Sequence, residues 1–100
     1  MDGSSSPTIV IGREVDGAHG WSYEVTIERG DGGSSRHEVH LAWVDYEQWS
    51  SGEKPPSVVI EHMLGLVFDL EPGFTMGDRV DAATLRRRFP ALDRELADRL

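Results

Sequence analysis

Two runs of strict alternation, facing each other across a Gly-rich loop, constrain this chain more than any other feature. Trp21, Tyr23, Val25 and Ile27 alternate with Ser22, Glu24, Thr26 and Glu28. After Gly30-Asp31-Gly32-Gly33-Ser34-Ser35, the series His37, Val39, Leu41, Trp43 alternates with Arg36, Glu38, His40 and Ala42. A period of two, with Gly, Asp and Ser between the runs, specifies an antiparallel hairpin with one buried face. That places Trp21, Tyr23, Val25, Val39, Leu41 and Trp43 toward the core and Glu24, Glu28, Arg36 and His40 away from it. Register follows from charge. Pairing Val25 with Val39, Tyr23 with Leu41 and Trp21 with Trp43 sets Glu28 opposite Arg36 and Glu24 opposite His40. The neighbouring register sets Glu28 against Glu38, and like charges directly opposite are destabilising.

Thr8-Ile9-Val10-Ile11 is a β-branched run that predicts a first strand over about 8–13, and Asp16-Gly17-Ala18-His19-Gly20 supplies a turn. The strands at about 8–13, 21–28 and 36–43 then form a three-stranded antiparallel meander. Asp45-Tyr46-Glu47-Gln48 reads as a capping box for a short helix over about 45–51. Pro55-Pro56 opens the main helix, about 56–70, which Pro72-Gly73 ends. Its residues Val59, Ile60, Met63, Leu64, Leu66, Val67 and Leu70 leave only Glu61, Gly65 and Asp69 as a polar stripe, so it is buried on most sides. Gly73 to Val80 reads as a loop with Phe74 and Met76 turned inward. Asp81 caps a helix over about 82–88, Pro90 forces a break, and Leu92, Leu96 and Leu100 share one face of a last helix over about 91–99. The fold class is α+β, one domain over 8–100, with residues 1–7 small, polar and disordered.

Composition narrows the function classes. The chain has no cysteine, which removes disulfides, thiolate metal sites and a thiol nucleophile. Its first seven residues lack the basic start and apolar core of a signal peptide, and no apolar stretch approaches the roughly 20 residues a membrane helix needs. A cytoplasmic protein is expected. The net charge of −8 disfavours a general nucleic-acid binder. That charge is uneven: residues 1–78 carry four cations against fourteen acids, whereas 79–100 carry six arginines against four acids. Such a tail on such a body suits docking onto the body, a second copy or an acidic partner. Nine arginines against one lysine suggest a GC-rich genome.

No catalytic constellation emerges. His37-Glu38-Val39-His40 has its histidines three apart on a strand, pointing to opposite faces, whereas the zincin motif needs them four apart on a helix. Ser34-Ser35 near His37 lacks a nucleophile elbow, and the Gly-rich loop joins two strands without the Lys and Ser/Thr of a phosphate cradle. Neither a metal nor a cofactor is implied. The candidate binding residues are Arg86, Arg87, Arg88 and Trp49. The arginine run also fits a helix C-terminus, where cations complement the dipole; spaced 100° apart, at least one of the three must turn toward the body. Trp49 is a candidate interface anchor, or a cover for the edge of a small core.

His37-Glu38-Val39, the helix ending Phe68-Asp69-Leu70-Glu71-Pro72, and Phe74 followed by Leu85-Arg86-Arg87-Arg88-Phe89-Pro90 together resemble a family of small uncharacterised bacterial proteins. These have a His-Glu-Val strand, a helix ending in an Arg-Glu-Pro-like element and a closing Phe-Pro segment. The resemblance spans about residues 21–96. The chain departs from it at Asp69-Leu70-Glu71-Pro72, where the family more often has a basic residue before Glu-Pro. It implies one domain and carries no activity or site.

The expected function is a small non-enzymatic interaction or regulatory module that binds a protein partner or itself and has no generic affinity for nucleic acid. The alternative is a nucleic-acid-linked, antitoxin-like regulator using Arg86 to Arg88; an enzyme of unknown type is third. Self-association is expected because the main helix and the Leu92-Leu96-Leu100 stripe offer more apolar surface than three strands readily cover, unless the two stripes cover each other.

Overall fold

Alternation becomes structure where the sequence predicts it. In the computed structural model, which describes residues 7–30, 32–50 and 52–100, the strands are β1 (Thr8–Asp16), β2 (Gly20–Glu28) and β3 (Ser34–Ala42). They form the expected antiparallel meander. Tyr23, Val25, Ile27, Val39 and Leu41 are buried on one face, with His37 at its end. Glu24, Glu28, Arg36 and Glu38 are exposed, and His40 half-buried, on the other. The expected disordered segment falls, but for Pro7, outside the described residues.

The hairpin register differs from expectation. Val25 stands opposite His37, Tyr23 opposite Val39, Trp21 opposite Leu41, and Glu24 opposite Glu38. The loop is shorter than the Gly-Ser composition suggests: Arg29 N–H donates to the Gly33 carbonyl at 2.8 Å, and Gly32 turns the chain at φ 91°. Ser34 and Ser35 therefore join the strand, and every pair moves by one same-face step. The like-charge contact this creates at Glu24 and Glu38 is only partly offset by Arg79, exposed and 3.9 Å from Glu38. His40 faces Ser22 rather than Glu24, with Ser22 Oγ 3.2 Å from its Nδ1.

β1 is longer than predicted because a bulge between Ile11 and Glu14 carries it past Gly12. The extra residue resets which side chains face inward, so Glu14 follows Ile9 and Ile11 on the core side. There it accepts a hydrogen bond from the buried Tyr23 hydroxyl.

Helix α1 (Trp43–Trp49) begins two residues before the predicted start, with Ala42 as N-cap. Asp45 is thus not a cap; it is a buried residue of the first turn, and Trp43 leaves the sheet's buried face altogether. Gly20 makes this junction fit: a Cβ there would sit 2.1 Å from the Leu41 carbonyl oxygen, and Trp43 N–H donates to the His19 carbonyl at 2.8 Å.

Helix α2 (Pro56–Leu70) buries Val59, Ile60, Met63, Leu64, Leu66 and Val67 against the sheet and the helices within one chain, leaving Leu70 45% exposed. The segment after it, expected to be loop throughout, contains a fourth strand. This strand, β4 (Arg79–Asp81), lies parallel beside β3, so the sheet order is β1-β2-β3-β4. Met76 is buried and Phe74 packs edge-on to Phe89, with ring centres 5.3 Å apart. Asp81 then caps α3 (Ala82–Arg88), accepting from Ala83 N–H at 3.0 Å, and the chain breaks at Phe89-Pro90 into α4 (Ala91–Arg99). Leu92 and Leu96 are fully buried and Leu100 packs against the same core.

Candidate functional site

The three arginines of α3 share no surface. Arg86 turns into the protein and joins three helices: its Nη1 donates to Asp45 Oδ1 of α1 at 2.7 Å, while Nε and Nη2 grip the Asp93 carboxylate of α4 at 2.8 and 2.9 Å. Two hydrogen bonds to one carboxylate are the geometry a guanidinium forms best. Trp49 completes the group. Its indole N–H donates to Asp93 Oδ1 at 2.8 Å, and the Arg86 guanidinium lies 5.9 Å from its ring centre.

Electrostatics follow this geometry. The hydrogen bonds it donates to Asp93, then to Asp45, hold the Arg86 guanidinium above its ordinary pKa, against the opposing cost of burial. Arg86 in turn holds the Asp93 carboxyl below its usual range, with help from Trp49. Asp45 is 2% exposed, and its Oδ2 has no hydrogen-bond partner among the described residues. With one oxygen unpartnered, this buried carboxylate has Arg86 as its counter-ion.

Arg88 points elsewhere, donating to Glu71 at 2.8 Å and lying 5.0 Å over the Phe89 ring. Arg87 is exposed and donates to Thr84 at 3.4 Å. The structure therefore brings Arg86 and Trp49 together and separates both from Arg87 and Arg88. Trp49, at 2% exposure, belongs to the core.

His37 is also occupied. Its Nδ1 lies 2.6 Å from the Gly77 carbonyl oxygen, which can only accept, so Nδ1 carries a proton. Its Nε2 lies 2.7 Å from Ser35 Oγ. With the Glu38 N–H bond to the Asp78 carbonyl at 2.8 Å, this ring ties β3 to the segment leading into β4. The open face of the sheet carries a shallow hollow of about 500 Å³, where Arg13 and Arg36 stand among Glu24 and Glu38, so opposite charges line it together. Among the described residues no cluster of His, Asp and Glu could hold a metal ion, and no helix is long and apolar enough to cross a membrane.

The surface feature that sequence reasoning missed is aromatic. Trp43, 53% exposed, and Val44, 68% exposed, begin α1 side by side. Trp43 leans on Trp21 with ring centres 6.2 Å apart, and Trp21 meets Tyr46 edge-on at 5.2 Å. The Tyr46 hydroxyl donates to the Lys54 carbonyl at 2.5 Å, fixing the last ring of the row. Extending the β3 alternation one residue too far assigns Trp43 to the core. The usable signal is Gly20, which marks where the chain must pass close to the end of β3.

The chain matches no protein-family model, no curated protein and no solved structure. What it does must be read from these groups.

Proposed function

We propose that this chain is a small cytoplasmic, non-enzymatic interaction module that docks a protein partner on the exposed aromatic end of α1. Trp43 carries this reading: a large indole kept 53% exposed while neighbouring rings hold it in place. Leaving Trp43 and Val44 in water costs apolar surface that burial would otherwise recover at about 25 cal/mol per Å². Contiguous exposed apolar groups with a rigid aromatic at their centre are the usual form of a recognition surface. The partnering of Arg86, Trp49 and His37 inside the fold supports the same reading, because it gives those groups structural work.

The test is affinity capture from nuclease-treated extract of the native host, using the full chain and its Trp43→Ser variant. The expected result is a protein retained by the parent and lost with the variant. An identical retained set for the two baits would sink the proposal.

A further inference from the structure

Resting on that docking reading, we infer that the partner meets α1 with an arginine-bearing basic segment, its guanidinium against Trp43 and Glu47. The inner face of the same helix already holds an arginine. There Asp45 and Trp49, four residues apart, face Arg86: Asp45 takes one N–H at 2.7 Å, and the Trp49 ring centre lies 5.9 Å from the guanidinium carbon. Side chains at this spacing lie one above the other on a helix, so an acid and an indole form one cradle for a planar cation. Trp43 and Glu47 repeat the pair, four residues apart, on the outer face. Both are exposed. One helix thus grips the chain's own arginine from within and presents the same chemistry outward.

The surroundings favour a cation there. Asp16 pairs with Trp21 across β1 and β2, setting a carboxylate beside the aromatic row. Lys54, whose carbonyl holds Tyr46, follows Glu53, so the segments that carry the patch bring one lysine against Asp16, Glu47 and Glu53. Residues 1–78 as a whole carry fourteen acids against four cations. This field draws a basic segment in and repels a second copy of a chain whose net charge is −8. Val44 beside Trp43 adds room for an aliphatic residue next to the arginine.

Selection of a random twelve-residue peptide library on the immobilised full-length chain tests this, with Trp43→Ser and Glu47→Gln as comparisons. The expected peptides carry net positive charge with arginine beside aliphatic residues. They should bind Trp43→Ser about thirtyfold more weakly, as for loss of a central tryptophan. Against Glu47→Gln they should bind more weakly and with less dependence on salt. In nuclear magnetic resonance spectra of the parent, a selected peptide should move the Trp43 and Trp21 indole signals and leave that of Trp49, bound to Asp93, in place. Selected peptides that are acidic or uncharged, yet lost on Trp43→Ser, would overturn the arginine assignment and keep the docking face. No selection above a blank surface, or peptides indifferent to Trp43→Ser, would overturn both. A Trp43 signal that moves with protein concentration alone would give the face to a second copy and overturn the basic partner.

Discussion

Arg86 shows how much one side chain can hold when its partners come from separate helices. Removing it leaves the Asp45 carboxyl buried and without its guanidinium, which costs about 3 kcal/mol for a broken buried pair; the Arg86 side chain keeps 27% exposure, so the low end of that range applies. Arg86→Ala should therefore lower stability by about that amount in a urea titration, while Arg87→Ala, whose contact is with Thr84, should fall within about 0.5 kcal/mol of the parent. Equal losses would show that the clamp is not structural. Asp93 adds a pH signature. Its folded-state pKa is depressed by Arg86, so its contribution is complete above the unfolded value of about 3.9 and is lost as pH falls through the lower folded value. Asp93→Asn should flatten the acid limb of stability in that window, and an unchanged limb would contradict the assignment. At the alkaline end, burial and then the Glu14 bond push the Tyr23 hydroxyl well above its ordinary range. A raised pKa on a group that is neutral when protonated stabilises the fold below about pH 10, and that stabilisation fades as pH rises further. The 100° fan of an arginine run already implied that one guanidinium turns inward. That it would meet Asp45, 41 residues away, is a long-range contact that no local pattern encodes.

The strands and helices were legible wherever a period was sustained. Nine-residue β2 and β3 and fifteen-residue α2 repeat their pattern enough times to fix type and face. Three-residue β4 has one apolar position, Val80, and exists because β3 offers an unpaired edge; no period can announce it. Asp45 and Gln48 have capping-box spacing, yet the carboxylate serves Arg86, so a tertiary ion pair overrides a local signal. Register depended on how many loop residues the Gly-Ser segment spends, which composition does not specify. With Glu24 opposite Glu38, Glu24→Thr should stabilise by a few tenths of a kcal/mol, relieving like charge and adding a β-branched side chain. Val25→Asp, at a fully buried site, should cost several kcal/mol or prevent folding. Gly20→Ala should cost about 2 kcal/mol or more, since its Cβ must displace backbone at Leu41. A denaturant series on the three variants checks the face, the register and the junction separately.

For the whole molecule, the case for self-association changes once the stripes are placed. Seven of the nine valine, isoleucine, leucine, methionine and phenylalanine side chains on α2, and Leu92 and Leu96 on α4, are buried within one chain. Sedimentation equilibrium from micromolar upward should accordingly fit a monomer, and a concentration-dependent mass would reopen the dimer. The separation of Arg86, Arg87 and Arg88 bears on nucleic acid in the same way. Arg86 is neutralised by Asp45 and Asp93, and Arg88 by Glu71, leaving Arg87 as the member of the run with no carboxylate against it among the described residues. Phosphate binding gains from each counterion a cation releases, so one arginine on a chain of net charge −8 offers little. The acidic body also repels a phosphate backbone over a Debye length, about 8 Å at physiological salt. An anisotropy titration with mixed-sequence duplex and single strand should show no binding at physiological ionic strength. An antitoxin-like regulator would instead bind below micromolar concentration, weaken steeply with salt, and lose binding when Arg87 alone becomes Ser. Arg87→Ser is the sharper probe than a triple change, because replacing Arg86 unfolds the clamp and would abolish binding for a structural reason. Salt-dependent binding lost in that single variant would move the functional surface from α1 to α3.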